Sequence, residues 1–135
     1  MSARHKARKR ALDFLFEADI RKKNPDELVN ERGDIDLSER DYVNKLVSGV
    51  NVNRGRIDEL VIAYAQGWDL DRMPVVDRNI LRIAIYELLF EKELPSDVAI
   101  SEALKLSDEN STEESTKYIN GVLARILVLK TTLGF

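Results

Sequence analysis

The sequence predicts an all-α fold, a single globular bundle of about seven helices. Three observations carry this. Apolar residues recur with a period near 3.6 along seven stretches, and apolar–polar alternation holds nowhere for long. Punctuation is sparse: three prolines and six glycines, mostly between the periodic stretches. A chain of 135 residues suffices for one domain and for a core that needs no covalent staple.

The first stretch, residues 4–22, places Ala7, Ala11, Phe14 or Leu15, and Ala18 on one face. Pro25 and Asp26 open a short second stretch through Leu28 and Val29, and Arg32, Gly33 and Asp34 read as a turn. Ser38 is the expected N-cap of the third, with Glu39 and Asp41 favourable to the dipole of its first turn. Tyr42, Leu46, Gly49 and Val50 carry that helix to about Asn53. Ile57, Leu60, Val61, Tyr64 and Ala65 trace the fourth, stopped near Gly67. Residues 68–73 form a loop or short turn, and Pro74 starts the next element where a missing N–H costs nothing. Residues 75–90 are apolar nearly all round, the mark of a central, buried helix. Pro95 and Ser96 begin the sixth, with Val98, Ala99, Ala103, Leu104 and Leu106, and residues 107–110 read as a polar turn. Ser111 with Glu114 fits a capping box before the last helix, whose stripe is Ile119, Val122, Leu123, Ile126 and Leu127. Gly121 inside it costs about 1 kcal/mol against alanine, so a close helix approach is expected there.

Composition excludes much chemistry. With no cysteine there is no disulfide, thiolate nucleophile or sulfur-ligated metal, which fits a reducing compartment. A single histidine, His5, forbids a two-histidine metal site and a triad with a spare imidazole. Neither a P-loop nor a dinucleotide-binding glycine turn occurs. The pairs Asp69/Asp71 and Glu113/Glu114 read as a solvated turn and a dipole-stabilised first turn rather than as acid–base machinery. The expectation is no enzyme: no catalytic residue, no metal, no cofactor. No stretch approaches the ~20 apolar residues of a spanning helix, and no apolar segment follows the basic start as in a secretory signal. A cytoplasmic protein without a membrane partner is expected.

The net charge of −3 hides a split. Residues 1–23 carry eight Lys/Arg against three acids, a net of +5, while the remainder carries 13 against 21, a net of −8. Arg4, His5, Lys6, Arg8, Lys9 and Arg10 crowd one helical segment at i,i+4 spacing with no acid among them. Like charges at that spacing repel, and a polyanion whose phosphates release counterions gives the clustering a purpose. A solvated terminus that only keeps the chain soluble is the competing reading. Tyr118 beside Lys117 can stack an unpaired base while the ammonium meets a phosphate; sealing the core edge is the alternative. Tyr42, Tyr64, Trp68 and Tyr86 read as core or rim packing. Arg78 and Arg82, with Asp77 and Glu87, interrupt the apolar fifth stretch either as internal ion pairs or as an exposed strip where a protein docks.

Three stretches in order resemble the NusB family of bacterial transcription antitermination factors. They are Arg8-Lys9-Arg10-Ala11-Leu12-Asp13-Phe14-Leu15-Phe16, the run Asp77-Arg78-Asn79-Ile80-Leu81-Arg82-Ile83-Ala84-Ile85-Tyr86-Glu87-Leu88, and Val98-Ala99-Ile100-Ser101-Glu102-Ala103 with Lys117-Tyr118-Ile119-Asn120-Gly121-Val122-Leu123. The resemblance implies two packed helical subdomains, about 1–66 and 67–135, and no catalysis. It implies binding of boxA-type single-stranded RNA of ribosomal RNA transcripts with a small-subunit ribosomal protein, NusE, within the RNA polymerase antitermination complex. It also admits a homodimer. Arg4, Arg8, Lys9 and Arg10 match the basic arm, Lys117 and Tyr118 the lysine–aromatic pair near RNA, and Asp77, with Glu87 beside it, the partner face. The chain departs from the family at Asp13, often glutamine, and at Phe16, commonly tyrosine. The competing function is a helical protein-interaction module that touches no nucleic acid.

Overall fold

The computed structural model describes residues 2–32 and 35–135, so the turn expected at Gly33 and Asp34 lies outside the described residues. Seven α-helices follow in order: α1 (Ala3–Arg21), α2 (Pro25–Arg32), α3 (Leu37–Val52), α4 (Arg54–Tyr64), α5 (Val75–Ile85), α6 (Ser96–Asn110) and α7 (Glu113–Val128). A 3-10 turn, Leu70–Arg72, precedes α5, and a π-helical turn, Tyr86–Phe90, extends it.

Side chains cap the starts of α1, α3 and α7. The Ser2 hydroxyl accepts from the His5 N–H at 3.1 Å and caps α1, while Lys22 turns left-handed to end it. Two caps differ from expectation by a residue or two. Asp36, not Ser38, caps α3, its carboxylate accepting from the Ser38 N–H, which holds Asp36 below the usual carboxylate range. Thr112, not Ser111, caps α7, accepting from the Ser115 N–H at 3.0 Å. Ser111 is taken instead by Asp77, to whose carboxylate its hydroxyl donates at 2.5 Å.

Residues 107–110 are helical rather than a turn. Two of their side chains find partners while the backbone stays helical: the buried Ser107 hydroxyl pairs with that of Thr116 in α7 at 2.7 Å, and Asn110 donates to the Leu106 carbonyl.

The expected central helix stands in the middle. α5 packs against α1, α4, α6 and α7, and every residue from Asn79 to Ile85 is buried. Its last turn widens: the Glu91 N–H reaches the Tyr86 carbonyl five residues back, at 3.2 Å. One contiguous apolar core runs from Ala7 in α1 through Leu28, Leu46, Ile57 and Ile80 to Ile126 in α7.

The close approach expected at Gly121 is at Gly49. A Cβ on Gly121 would meet only an Arg125 nitrogen, at 3.6 Å, an ordinary contact. A Cβ on Gly49 would stand 2.2 Å from the Tyr86 ring, so α3 can lie on the π-helical turn only with no side chain there.

Candidate nucleic-acid interface

Helix α1 carries the basic segment, and its two faces differ. A helix turns 100° per residue, so Arg8 falls on the stripe of Ala11, Leu12 and Leu15 and is carried inward with it. Its guanidinium, 2% exposed, makes two hydrogen bonds to Glu87 at 2.8 and 2.9 Å, and Glu87 is itself 1% exposed in the π-helical turn. A second carboxylate, Glu102 of α6, lies 3.5 Å from Arg8. The Tyr42 hydroxyl of α3 donates to Glu87, and the guanidinium carbons of Arg4 and Arg8 lie 4.6 and 5.5 Å from its ring centroid. Burial opposes the Arg8 charge, yet the hydrogen bonds and charge of Glu87 outweigh it and push the guanidinium pKa up. Burial, and then Glu87, push the Tyr42 hydroxyl up as well.

His5 is enclosed on the same side. Its Nδ1 lies 3.0 Å from Glu102 and its Nε2 2.7 Å from Glu109. The expectation that His5 and Arg8 face RNA is therefore corrected: both are buried and occupied by the chain's own carboxylates. A guanidinium sealed inside the protein with its charge matched by a two-bond carboxylate pair is not presented to a phosphate.

The other face keeps its charge. Lys6 and Arg10 are exposed; Lys6 stands in the field of Asp36, and neither makes an ion pair among the described residues. Lys9 pairs with Asp13 one turn on, at 2.7 Å, with both side chains about half exposed. Such a pair is worth a few tenths of a kcal/mol and yields readily to a phosphate. A cleft of about 340 Å³ opens here between α1, the start of α3 and the end of α6, lined by Lys6, Lys9, Arg10 and Glu39 among others. Arg4 is exposed above the Tyr42 ring. Four of the six expected cations thus remain available.

Lys117 is exposed on α7, and Tyr118 beside it is half-buried. The Tyr118 ring packs on Trp68 with centroids 4.9 Å apart, and its hydroxyl donates to the Gln66 carbonyl at 3.3 Å. Trp68, read from sequence as packing, is the surface on which Tyr118 is held.

The polar residues of α5 and its π-helical turn form internal pairs rather than an exposed strip. Arg78 donates to Asp19 of α1 at 2.7 Å; Arg82 bridges Asp19 at 3.0 Å and Asp58 of α4 at 2.9 Å. Burial raises the Asp19 carboxyl, but the hydrogen bonds from Arg78 and Asn79 and the charge of Arg82 bring it net below its ordinary value. Asp77 accepts from Ser111 and Ser115 and so ties α5 to the α6–α7 connection. Asp77, Arg82 and Glu87 are all buried, and the Arg78 side chain is 15% exposed. The expectation of a partner face there is corrected in the same way: charges in an apolar helix are retained by being matched across it.

Among the described residues no group of His, Asp or Glu is placed to hold a metal ion, and no helix is long and apolar enough to cross a membrane.

Residues 5–128 match the model of the NusB family. The chain belongs to that family. A NusB relative from Salinispora arenicola, "Transcription antitermination protein NusB", is 50% identical over 132 residues, covering 93% of this chain and 96% of the relative. Solved NusB structures share the fold. "T. maritima NusB" superposes with a TM-score of 0.86 at 35% identity, covering 95% of this chain and 92% of the other. A structure of "Antitermination Factors NusB and NusE in complex with dsRNA" gives 0.82 at 30% identity, covering 95% and 98%.

Proposed function

We propose that this protein is an antitermination factor that binds boxA-type RNA of ribosomal RNA transcripts together with NusE, inside the bacterial cytoplasm, by assembly and without turnover. One observation supports the reading above the rest. On α1 the inward Arg8 is neutralised by Glu87 and Glu102, and His5 is hydrogen-bonded between Glu102 and Glu109, while Arg4, Lys6, Lys9 and Arg10 stay accessible on a body that is otherwise negative. That polarity suits a polyanion held on one side and repelled elsewhere. The relatives' antitermination name and the solved NusB–NusE–RNA complex agree with it. Tyr118 and Lys117 add a stacking platform with a neighbouring cation.

The test is salt dependence. If the four accessible cations meet phosphates, the affinity for single-stranded boxA RNA falls with a log–log slope of about −3. Replacing Lys6, Lys9 and Arg10 together by alanine leaves the fold intact, removes about two units of slope and weakens binding about 100-fold at 0.1 M salt. An unchanged slope overturns the arm. The RNA in the solved complex is double-stranded, so a duplex of the same sequence belongs in the titration, with and without NusE.

A further inference from the structure

Glu39 is a charged side chain that the ion-pair network leaves out. It stands in the first turn of α3, 7% exposed, and its carboxylate has no hydrogen bond or ion pair among the described residues. The dipole of α3 favours its charge but brings no donor to it. No fully covered side-chain oxygen in the described residues lacks a partner, so the Glu39 carboxylate opens onto accessible space. The space it lines is the cleft shared with Lys6, Lys9 and Arg10, where the other two carboxylates, Asp13 and Glu109, are held by Lys9 and His5.

A largely buried carboxylate with vacant lone pairs, beside the unpaired cations Lys6 and Arg10, is selective about what can join it. A free phosphate suits the cations and is repelled by Glu39; a metal ion suits Glu39 and is repelled by the cations. A nucleotide satisfies both, its phosphates and its base edge being separate. The four bases then divide by their donors. Guanine presents N1–H and N2–H side by side, a match for two carboxylate oxygens. Adenine and cytosine set an amino group beside an acceptor, and uracil flanks its single N–H with two carbonyls. The cleft, about 340 Å³, is at the small end of ligand sites, which run from about 300 to 1,000 Å³.

The geometry points to a guanine subsite in which Glu39 accepts from N1–H and N2–H of one unpaired guanine while Lys6, Lys9 and Arg10 neutralise its flanking phosphates. It rests on the RNA-binding reading above and adds base selectivity to what is otherwise capture of the backbone.

The experiment titrates the full chain at low salt with three short oligouridylates: one carrying a single guanine, one carrying inosine in its place, and one of uridine alone. Inosine keeps N1–H and lacks the N2 amine. The guanine oligomer binds about 10-fold tighter than uridine alone, as expected for one two-bond base contact, with inosine between. In Glu39→Gln the preference collapses, because the amide replaces one acceptor with a donor. Removing a negative charge raises affinity for all three, so the ratio between oligomers is the readout. Should Glu39→Gln lower the melting temperature, the inosine comparison in the unmodified chain decides alone. Equal binding of the three by the unmodified chain overturns the subsite and leaves RNA binding standing. A preference that survives Glu39→Gln overturns the assignment to this residue. Binding to none of them overturns the RNA reading itself.

Discussion

Arg8 and Arg10 stand two residues apart on α1, about 200° apart around its axis, and reach opposite environments. Arg8 is shut between Glu87, Glu102 and the Tyr42 ring. Arg10 borders the outer cleft and makes no ion pair among the described residues. The same side chain fastens the helix in one case and is left for a ligand in the other. The charge a segment carries is thus not the charge it presents: part of it is consumed in holding the segment in place, and only the remainder is on offer.

The contrast can be broken most forcefully at Arg8. Arg8→Ala leaves Glu87 a buried carboxylate without a counter-charge, bonded only by the Tyr42 hydroxyl, and costs about 3–5 kcal/mol, seen as a lower urea midpoint, with the salt slope of RNA binding unchanged. A slope that flattens as it does for the outer triple replacement would erase the difference between the faces.

The inner face also has a pH signature at Asp19. Its folded-state pKa is lowered, with burial opposing and the bonds from Arg78 and Asn79 and the charge of Arg82 prevailing. It therefore stabilises the fold above the unfolded value of about 3.9 and ceases to do so as pH falls through the lowered value. Asp19→Asn destabilises on the order of 2 kcal/mol near neutral pH, and the difference between the melting curves of the two proteins begins to narrow below about pH 4 and is lost once pH passes the lowered Asp19 value. Curves that stay parallel would remove Asp19 from the inner network.

The smallest effect sharpens the outer face. Asp13→Asn releases Lys9 from its exposed pair at a cost within about 0.5 kcal/mol and, with Lys9 already among the four phosphate contacts, tightens RNA binding about twofold while the salt slope stays at about −3. A slope that steepens by about 0.7 would show that Asp13 had kept Lys9 off the RNA.

The helices were legible because their apolar periods are long and the connections short. The caps slipped because Asp36 and Thr112 compete with nearby Ser38 and Ser111, and a hydroxyl or carboxylate at either position satisfies the local rule. At Ser111 the deciding partner, Asp77, lies 34 residues away. Gly49 and Gly121 look alike in sequence, and only the Tyr86 ring distinguishes them.

For the site, residue type marked α1 as cationic but not which cations were free. A signal existed: Arg8 shares the stripe of Ala11, Leu12 and Leu15, so the periodicity that predicts the core also predicts its burial. Its pairing with Glu87 was not readable, since the acid stands inside an apolar run that by itself suggests a second, unrelated exception. Glu39 was read as a helix-start acid, and nothing local distinguishes it from Asp41.

The carboxylates that neutralise the start of α1 lie far along the chain, Glu87 79 residues after Arg8 and Glu102 and Glu109 97 and 104 residues after His5. A chain emerging from the ribosome N-terminus first therefore carries a cationic helix whose counterweights have yet to be synthesised. α1 can lie against α2 and α3 as soon as these are made, but Arg8 gains its carboxylates only in the second half of translation, and until then that charge is open to whatever polyanion is nearby.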